Sequence, residues 1–310
     1  MTSELHVIFG TGPLGKWTAR HLLKQGYRVR LVNRSGQTPD LPAGAEIVRG
    51  DAYDRAQAAA LVAGAAAVYQ CAQPQYHEWV EKFPPLQESI LAATSAAGAK
   101  LIVAENLYMY GDTHGQPMTE STPNNAHTRK GKVRQQMSAA LMQAHQQGKV
   151  RVAMARGSDF FGPEDTVQSG FVYRPALAGK AVNQVGRTDQ PHTFTYVADF
   201  GALLATLGTH DEALGEIWHV PSNAPVTQAE LLAILSEALG KPVKAQVAGR
   251  FMLSLLGLFN PGAKEMVEML YEFTQPFIMD SSKAQKAFGL RPTPLPEAVR
   301  ATLDWCRTHP

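Results

Sequence analysis

The run GTGPLG, residues 10 to 15, has the glycine spacing that lets a backbone close around a pyrophosphate. It lies between the strand-like HVIFG and a helical pattern, the setting in which that spacing marks a dinucleotide site. Gly10 permits the tight turn, Gly12 the approach of backbone to phosphate, and Gly15 close packing of helix on strand, with Thr11, Pro13 and Leu14 completing the loop. Amide N–H groups and the helix N-terminus then hold the anion. About twenty residues on, where a carboxylate would bond the ribose of NAD, LVNRSG carries Asn33, Arg34 and Ser35. No acid stands there to repel a 2′-phosphate and a guanidinium is placed to pair with one, so the sequence favours NADP(H) over NAD(H). Asp51 and Ala52, in GDAYD, follow the third strand; Asp51 either accepts from an adenine amine or caps a helix. Cys71 and Ala72, in CAQP after the fourth strand, pass beneath the ribose–nicotinamide end. The thiol reads as a small apolar group rather than a nucleophile, because no cation neighbours it in sequence.

The elements that must hold these residues follow from pattern. LHVIFG, RVRLVN, AEIVRG, AAVYQCA, KLIVAEN and VRVAMARG read as six strands. The segments GKWTARHLLKQG, DRAQAAALVAG, PPLQESILAATSAAG and KVRQQMSAALMQAHQQG read as helices closed by glycine. Strand, helix and glycine in repeated order predict an α/β fold, a Rossmann-type doubly wound parallel sheet. The expected dinucleotide-binding domain covers 1–162, with returns near 193–220 and 279–282; 163–192 and 221–310 form mainly a smaller C-terminal substrate lobe. There, TQAELLAILSEALG reads as a helix with Thr227 and Glu230 as a capping box. The chain has 310 residues, 45% apolar and 18% charged with a formal charge of +2, which excludes a disordered chain and gives no basic stripe for nucleic acid. Two distant cysteines, Cys71 and Cys306, argue against a disulfide framework and for a reducing cytoplasm. MTSEL runs directly into the first strand without an export pattern, and FMLSLLGLF is far short of the ~20 residues of a bilayer span. No His pair has metal-ligand spacing, so no catalytic metal is expected.

In order along the chain, GTGPLG, RGDAYD, AENLYMYGD, MTESTP before TRKGK, RGSDFFGP, HTFTYVADFGALL and DSSKAQKAFGLRPTPLPEAV resemble the extended short-chain dehydrogenase/reductase superfamily, of the NAD-dependent epimerase/dehydratase type. The resemblance implies a Rossmann domain with a C-terminal substrate lobe, and a Tyr-x-x-x-Lys pair with a Ser or Thr at the end of the fifth strand. By that correspondence TRKGK keeps Lys132, which would contact the nicotinamide ribose or else stand as a solvated helix lysine, but puts Thr128 in place of the tyrosine, while Asn106 replaces the Ser or Thr. A threonine hydroxyl is too weak an acid for the tyrosine's role. Tyr108, two residues beyond Asn106 and expected to share its side of the strand, becomes the candidate proton donor, with a water as the other source and packing against the substrate lobe as the other role for the ring. Leu107 and Tyr108 stand where dehydratases of the superfamily carry an acid–base carboxylate pair, which disfavours dehydration.

Asp159, in RGSDFFGP, replaces an asparagine that contacts the diphosphate in sugar-nucleotide members, and a carboxylate there repels phosphate. His127 and His192 are further pocket candidates, with an exposed loop the simpler reading for His127. RFMLSLLGLF and MVEMLYEFTQPF either line an apolar pocket or pack as core. The resulting expectation is an NADP(H)-dependent oxidoreductase acting on a small organic carbonyl or alcohol, monomeric or homodimeric, with no nucleic acid or membrane partner. The alternatives are a dinucleotide-binding sensor without catalysis, which the lost tyrosine fits, and a nucleotide-sugar epimerase.

Overall fold

The computed structural model describes residues 4–259 and 261–309. The first half alternates β1 (Leu5–Phe9), α1 (Pro13–Lys24), β2 (Arg28–Asn33), β3 (Glu46–Arg49), α2 (Arg55–Val62), β4 (Ala65–Gln70), α3 (Trp79–Ala96), β5 (Lys100–Glu105), α4 (Arg129–Gln146) and β6 (Arg151–Arg156). The chain then builds β7 (Phe160–Phe161), α5 (Thr166–Gln168), α6 (Arg174–Leu177), β8 (Val182–Val185), β9 (Thr195–Tyr196) and α7 (Val197–Thr209), and returns to the main sheet with β10 (Ile217–His219). It ends with α8 (Gln228–Leu239), β11 (Ala245–Ala248), α9 (Arg250–Leu256), α10 (Pro261–Glu268), α11 (Ser282–Phe288) and α12 (Leu295–Thr308).

Seven strands form one sheet in the order β10-β6-β5-β4-β1-β2-β3, every pair parallel. Strand order reverses between β1 and β4, and the crevice beyond their carboxyl ends is where such sheets bind ligands. Helices cover both faces, so the central strands are apolar on both sides and β1 is buried throughout. Ile8 packs with Leu22 of α1 and Leu204 of α7 on one face. Val7 and Phe9 pack with Leu61 of α2 and Ile90 of α3 on the other. A separate apolar cluster in the lobe joins Leu232 and Leu235 of α8 to Leu295, Val299 and Leu303 of α12. The capping box at Thr227 and Glu230 forms as its spacing predicts.

Three local expectations need correction. Helix α3 begins at Trp79 and carries Pro84 and Pro85 inside it, rather than starting at them. Each proline removes one helical hydrogen bond, but the first turns bury Trp79 and Phe83, and that packing holds the helix together. Strand β5 stops at Glu105, so Asn106 lies beyond it and Tyr108 opens a 3-10 turn, Tyr108–Tyr110. Strand alternation therefore does not orient the two. The apolar run 250–259, α9 and the turn after it, sends only Leu253 of its large residues into the core, while Phe251 is 84% and Phe259 88% exposed. Among the described residues, no helix is long and apolar enough to cross a membrane.

Candidate functional site

The glycine loop joins β1 to α1 at the crevice. Gly10 has φ of 109°, and a Cβ there would stand 2.6 Å from the Ala72 amide nitrogen at the end of β4. A Cβ on Gly15 would collide with the Gly10 carbonyl oxygen, whereas one on Gly12, the N-cap of α1, would meet nothing within 4 Å. The loop is thus packed behind and open in front, the shape that a pyrophosphate needs. Asn33 ties the end of β2 to this loop: its Nδ2 donates to Thr11 Oγ1 at 2.8 Å and to Gln37 O at 2.7 Å, and its Oδ1 accepts from Gly36 N at 2.7 Å. Arg34 and Ser35 are exposed beyond it. Arg49, exposed at the end of β3, flanks the same turn, where a side chain on Gly36 would meet its Cβ at 2.9 Å. Asp51 is not the helix cap. Its Oδ1 accepts from Tyr53 N at 3.0 Å, and Asp54 caps α2 through Ala56 N and Gln57 N.

A cavity of about 270 Å³ opens beyond the ends of β4, β5 and β6. Leu14, Cys71, Ala72, Asn106 and Tyr108 all line it, so the structure brings these sequence-selected residues together. Burial pushes the Cys71 thiol up to about 12, which keeps it protonated. The Tyr108 hydroxyl lies 3.2 Å from that of Tyr76, with its ring 5.9 Å from Trp79. Burial first, then the neighbouring Tyr76 and Glu272, raise the Tyr108 phenol well above its usual value, so it stays protonated as a hydrogen-bond donor. Gln70 and Ser158 also line the cavity, and each is buried with its side-chain polar atoms unpartnered. Buried polar groups without partners cost stability unless a ligand satisfies them.

Thr128 and Lys132 do not meet at this cavity. Thr128 is the N-cap of α4, its Oγ1 accepting from Gly131 N at 3.0 Å, and Lys132 is exposed. The inward face of α4 instead carries Lys130, Val133, Arg134, Met137 and Leu141, and position 132 falls on the opposite side of a 3.6-residue period. Gly131 lets this helix press on the turn that presents Tyr108, since a Cβ there would stand 2.6 Å from Tyr108 O. Lys130 and Arg134, each 1% exposed, both lie beside carboxylates. The Lys130 ammonium sits 4.5 Å over the Tyr76 ring and pairs with Glu265 and Glu268 of α10. The Arg134 guanidinium is 3.6 Å from Glu105, which also accepts from Arg156 Nε at 3.0 Å.

His127 is exposed with its ring 4.8 Å from Tyr271, whereas His192 is buried with Nε2 3.0 Å from Asp159 Oδ2. Asp159, just after β6, and Glu272 and Phe277, before α11, complete the cavity. Tyr76, Glu272 and Arg134 have no signal in sequence spacing. They are brought in by an irregular turn, by a distant loop and by the helical face opposite Lys132.

Residues 7–220 match the model of the NAD dependent epimerase/dehydratase family. No curated protein sequence matches the chain. Among solved structures, the chain is similar to dTDP-glucose 4,6-dehydratase from Streptomyces venezuelae with NAD bound, at 19% identity over 98% of this chain and 97% of that one, TM-score 0.78. UDP-glucose 4-epimerase from Thermus thermophilus in complex with NAD is 20% identical over 98% and 99%, TM-score 0.79. UDP-glucuronic acid 4-epimerase from Bacillus cereus with UDP-glucuronic acid and NAD is 17% identical over 99% and 100%, TM-score 0.80. These similarities describe the fold. Because the family match runs from the first strand of the central sheet to the last, the chain belongs to the NAD-dependent epimerase/dehydratase family.

Proposed function

We propose that this enzyme is an NADP(H)-dependent oxidoreductase acting on a compact, largely apolar carbonyl compound or the corresponding alcohol. The observation that carries this reading is the lining of the cavity. Tyr76, Trp79, Phe83, Tyr108, Phe160 and Phe277 supply aromatic walls, and the acidic side chains facing the space include Asp159 and Glu272. Lys130, over the Tyr76 ring, is held by Glu265 and Glu268, and Arg134, which lines the cavity, shares Glu105 with Arg156. A sugar-nucleotide diphosphate entering beside Asp159 and Glu272 would meet acidic side chains, which disfavours the epimerase alternative despite the ligands in the relatives' structures. The loop at residues 10–15 would hold the pyrophosphate, and Gln70 and Ser158, unpartnered beside Cys71, fit a polar group at the nicotinamide end. NADPH, when bound, supplies the hydride. The Tyr108 hydroxyl donates a hydrogen bond to the substrate oxygen, where negative charge develops.

Preference for the phosphorylated cofactor rests on the end of β2. Asn33 spends its amide on the loop, no carboxylate replaces it, and Arg34 makes no ion pair among the described residues. The test is a panel of aromatic and aliphatic ketones and aldehydes beside UDP- and dTDP-sugars, followed by NADPH consumption and by product analysis. Reduction of uncharged ketones or aldehydes is the expected outcome. Interconversion of a sugar nucleotide with no ketone reduced would establish the epimerase reading instead, and tight NADPH binding with no turnover of any compound would establish the sensor reading.

A further inference from the structure

Away from the cavity, α9 and the turn after it leave their apolar side chains in solvent. Phe251, Leu258 and Phe259 are more exposed than any other large apolar side chain among the described residues, and Met252, Leu255 and Leu256 stand about half exposed beside them. Of α9 itself only Leu253 is buried. Apolar groups scattered singly over a surface need no explanation, but a contiguous run of them marks a contact with something else. The charge of the same stretch is one-sided. Residues 238–264 contain no aspartate or glutamate, and they carry Lys241, Lys244, Arg250 and Lys264. Arg250 opens α9, and Lys244 directly precedes β11, the strand that leads into it. Lys264 backs onto the turn: a Cβ on Gly257, between Leu256 and Leu258, would stand 2.9 Å from the Lys264 Cα. Lys244, Arg250 and Lys264 are exposed and make no ion pair among the described residues. The next acid along the chain, Glu265, is buried and already paired with Arg129 and Lys130.

We propose that this surface docks on an anionic lipid bilayer, with Phe251, Leu258 and Phe259 entering the boundary of the acyl chains and Lys244, Arg250 and Lys264 meeting lipid phosphates. Charge decides between this occupant and a second copy of the chain. A two-fold interface sets a patch against its own image, so Arg250 and Lys264 would face Arg250 and Lys264 with no acid of the segment between them. A bilayer of anionic lipid offers the apolar groups a hydrocarbon phase and the cations their counter-charge in one surface. The length argument against a spanning helix does not bear on a short helix lying in the interface plane. So few apolar side chains give a reversible attachment, and the part of it that comes from exposed cations is screened by salt. The attachment holds whatever compound the cavity turns over.

The experiment sediments the full-length protein with vesicles of phosphatidylcholine alone and of phosphatidylcholine mixed with phosphatidylglycerol, at low and at high salt. The wild type should pellet with the mixed vesicles at low salt, and several-fold less with phosphatidylcholine alone or at high salt. The double variant Phe251→Ser, Phe259→Ser should lose most of the pelleted fraction. Arg250→Gln with Lys264→Gln should lose the preference for the anionic vesicles. All four side chains are exposed, so both variants should keep the thermal midpoint of the wild type, which separates lost docking from lost folding. No pelleting of the wild type with anionic vesicles would overturn the proposal. Unchanged pelleting of the serine variant would also overturn it, by reducing the attachment to charge alone. A wild-type dimer in sedimentation equilibrium that the serine variant converts to monomer would assign the face to a second copy instead.

Discussion

Gly12→Val separates folding from cofactor binding. The open space in front of Gly12 accommodates the new side chain, so the thermal midpoint should stay near that of the wild type, while the valine occupies the ground a pyrophosphate must approach. NADPH titration should show binding lost, and unchanged affinity would mean that the dinucleotide lies elsewhere. Arg34→Ala should weaken NADPH by ~1–3 kcal/mol, the loss of a charge-assisted contact, and leave NADH nearly unaffected. Equal losses for both cofactors in isothermal titration would remove Arg34 from phosphate recognition. Residues of this kind were legible in the sequence because a glycine loop is local: its six positions act through their own backbone. Glu272 was not, because nothing in MVEMLYEFTQPF distinguishes a glutamate that faces solvent from one buried in the cavity wall, and only the path of this segment past the ends of β4 and β5 decides it.

Helix α4 shows how a correct element can carry a misleading register. The sequence places a helix start near TRKGK, and the structure puts its N-cap at Thr128. The i, i+4 pair facing inward is Lys130 and Arg134, two positions later than the pair suggested by resemblance, because the buried stripe fixes the rotation of the helix. Thr128→Ala should therefore cost about 1 kcal/mol of stability through the lost cap and change turnover little. Lys132→Ala, on the exposed side, should leave NADPH affinity and the unfolding midpoint unchanged, and a tenfold loss of NADPH affinity would show that the resemblance outweighs the register. Helix α3 was legible only from Pro84 onward, since proline marks a helix start in sequence and the apolar packing of Trp79 and Phe83 is a tertiary fact. The opposite happens at α9, whose apolar run reads as core by composition while only Leu253 among its larger residues finds a buried place.

For the molecule as a whole, two buried histidines tie stability to pH. Burial takes His219 down to about 3 and, with help from the Lys100 charge, His6 down to about 4. His219 Nδ1 donates to Asp280 O at 2.7 Å and Nε2 accepts from Tyr110 OH at 2.7 Å, so the neutral ring joins β10 to the turn after β5 and to the segment before α11. Both folded values lie below the unfolded 6.5, so the unfolded chain binds more protons in the interval between them. Stability should be complete above about pH 6.5 and decline as pH falls toward 4 and then 3. Urea midpoints across that interval should fall, with a shallower slope in His219→Gln; an equal slope would assign the effect to other groups. Strand β10 carries one more consequence, in the order of synthesis. A ribosome releases β6 long before Ile217–His219, because the chain first lays down part of the lobe. Throughout that interval the outer edge of β6 presents unpaired N–H and C=O groups beside Met154 and Arg156, which β10 later covers. A nascent chain arrested before Ile217 therefore exposes a sheet edge able to pair with another chain, and a chaperone that binds open edges has its longest opportunity there.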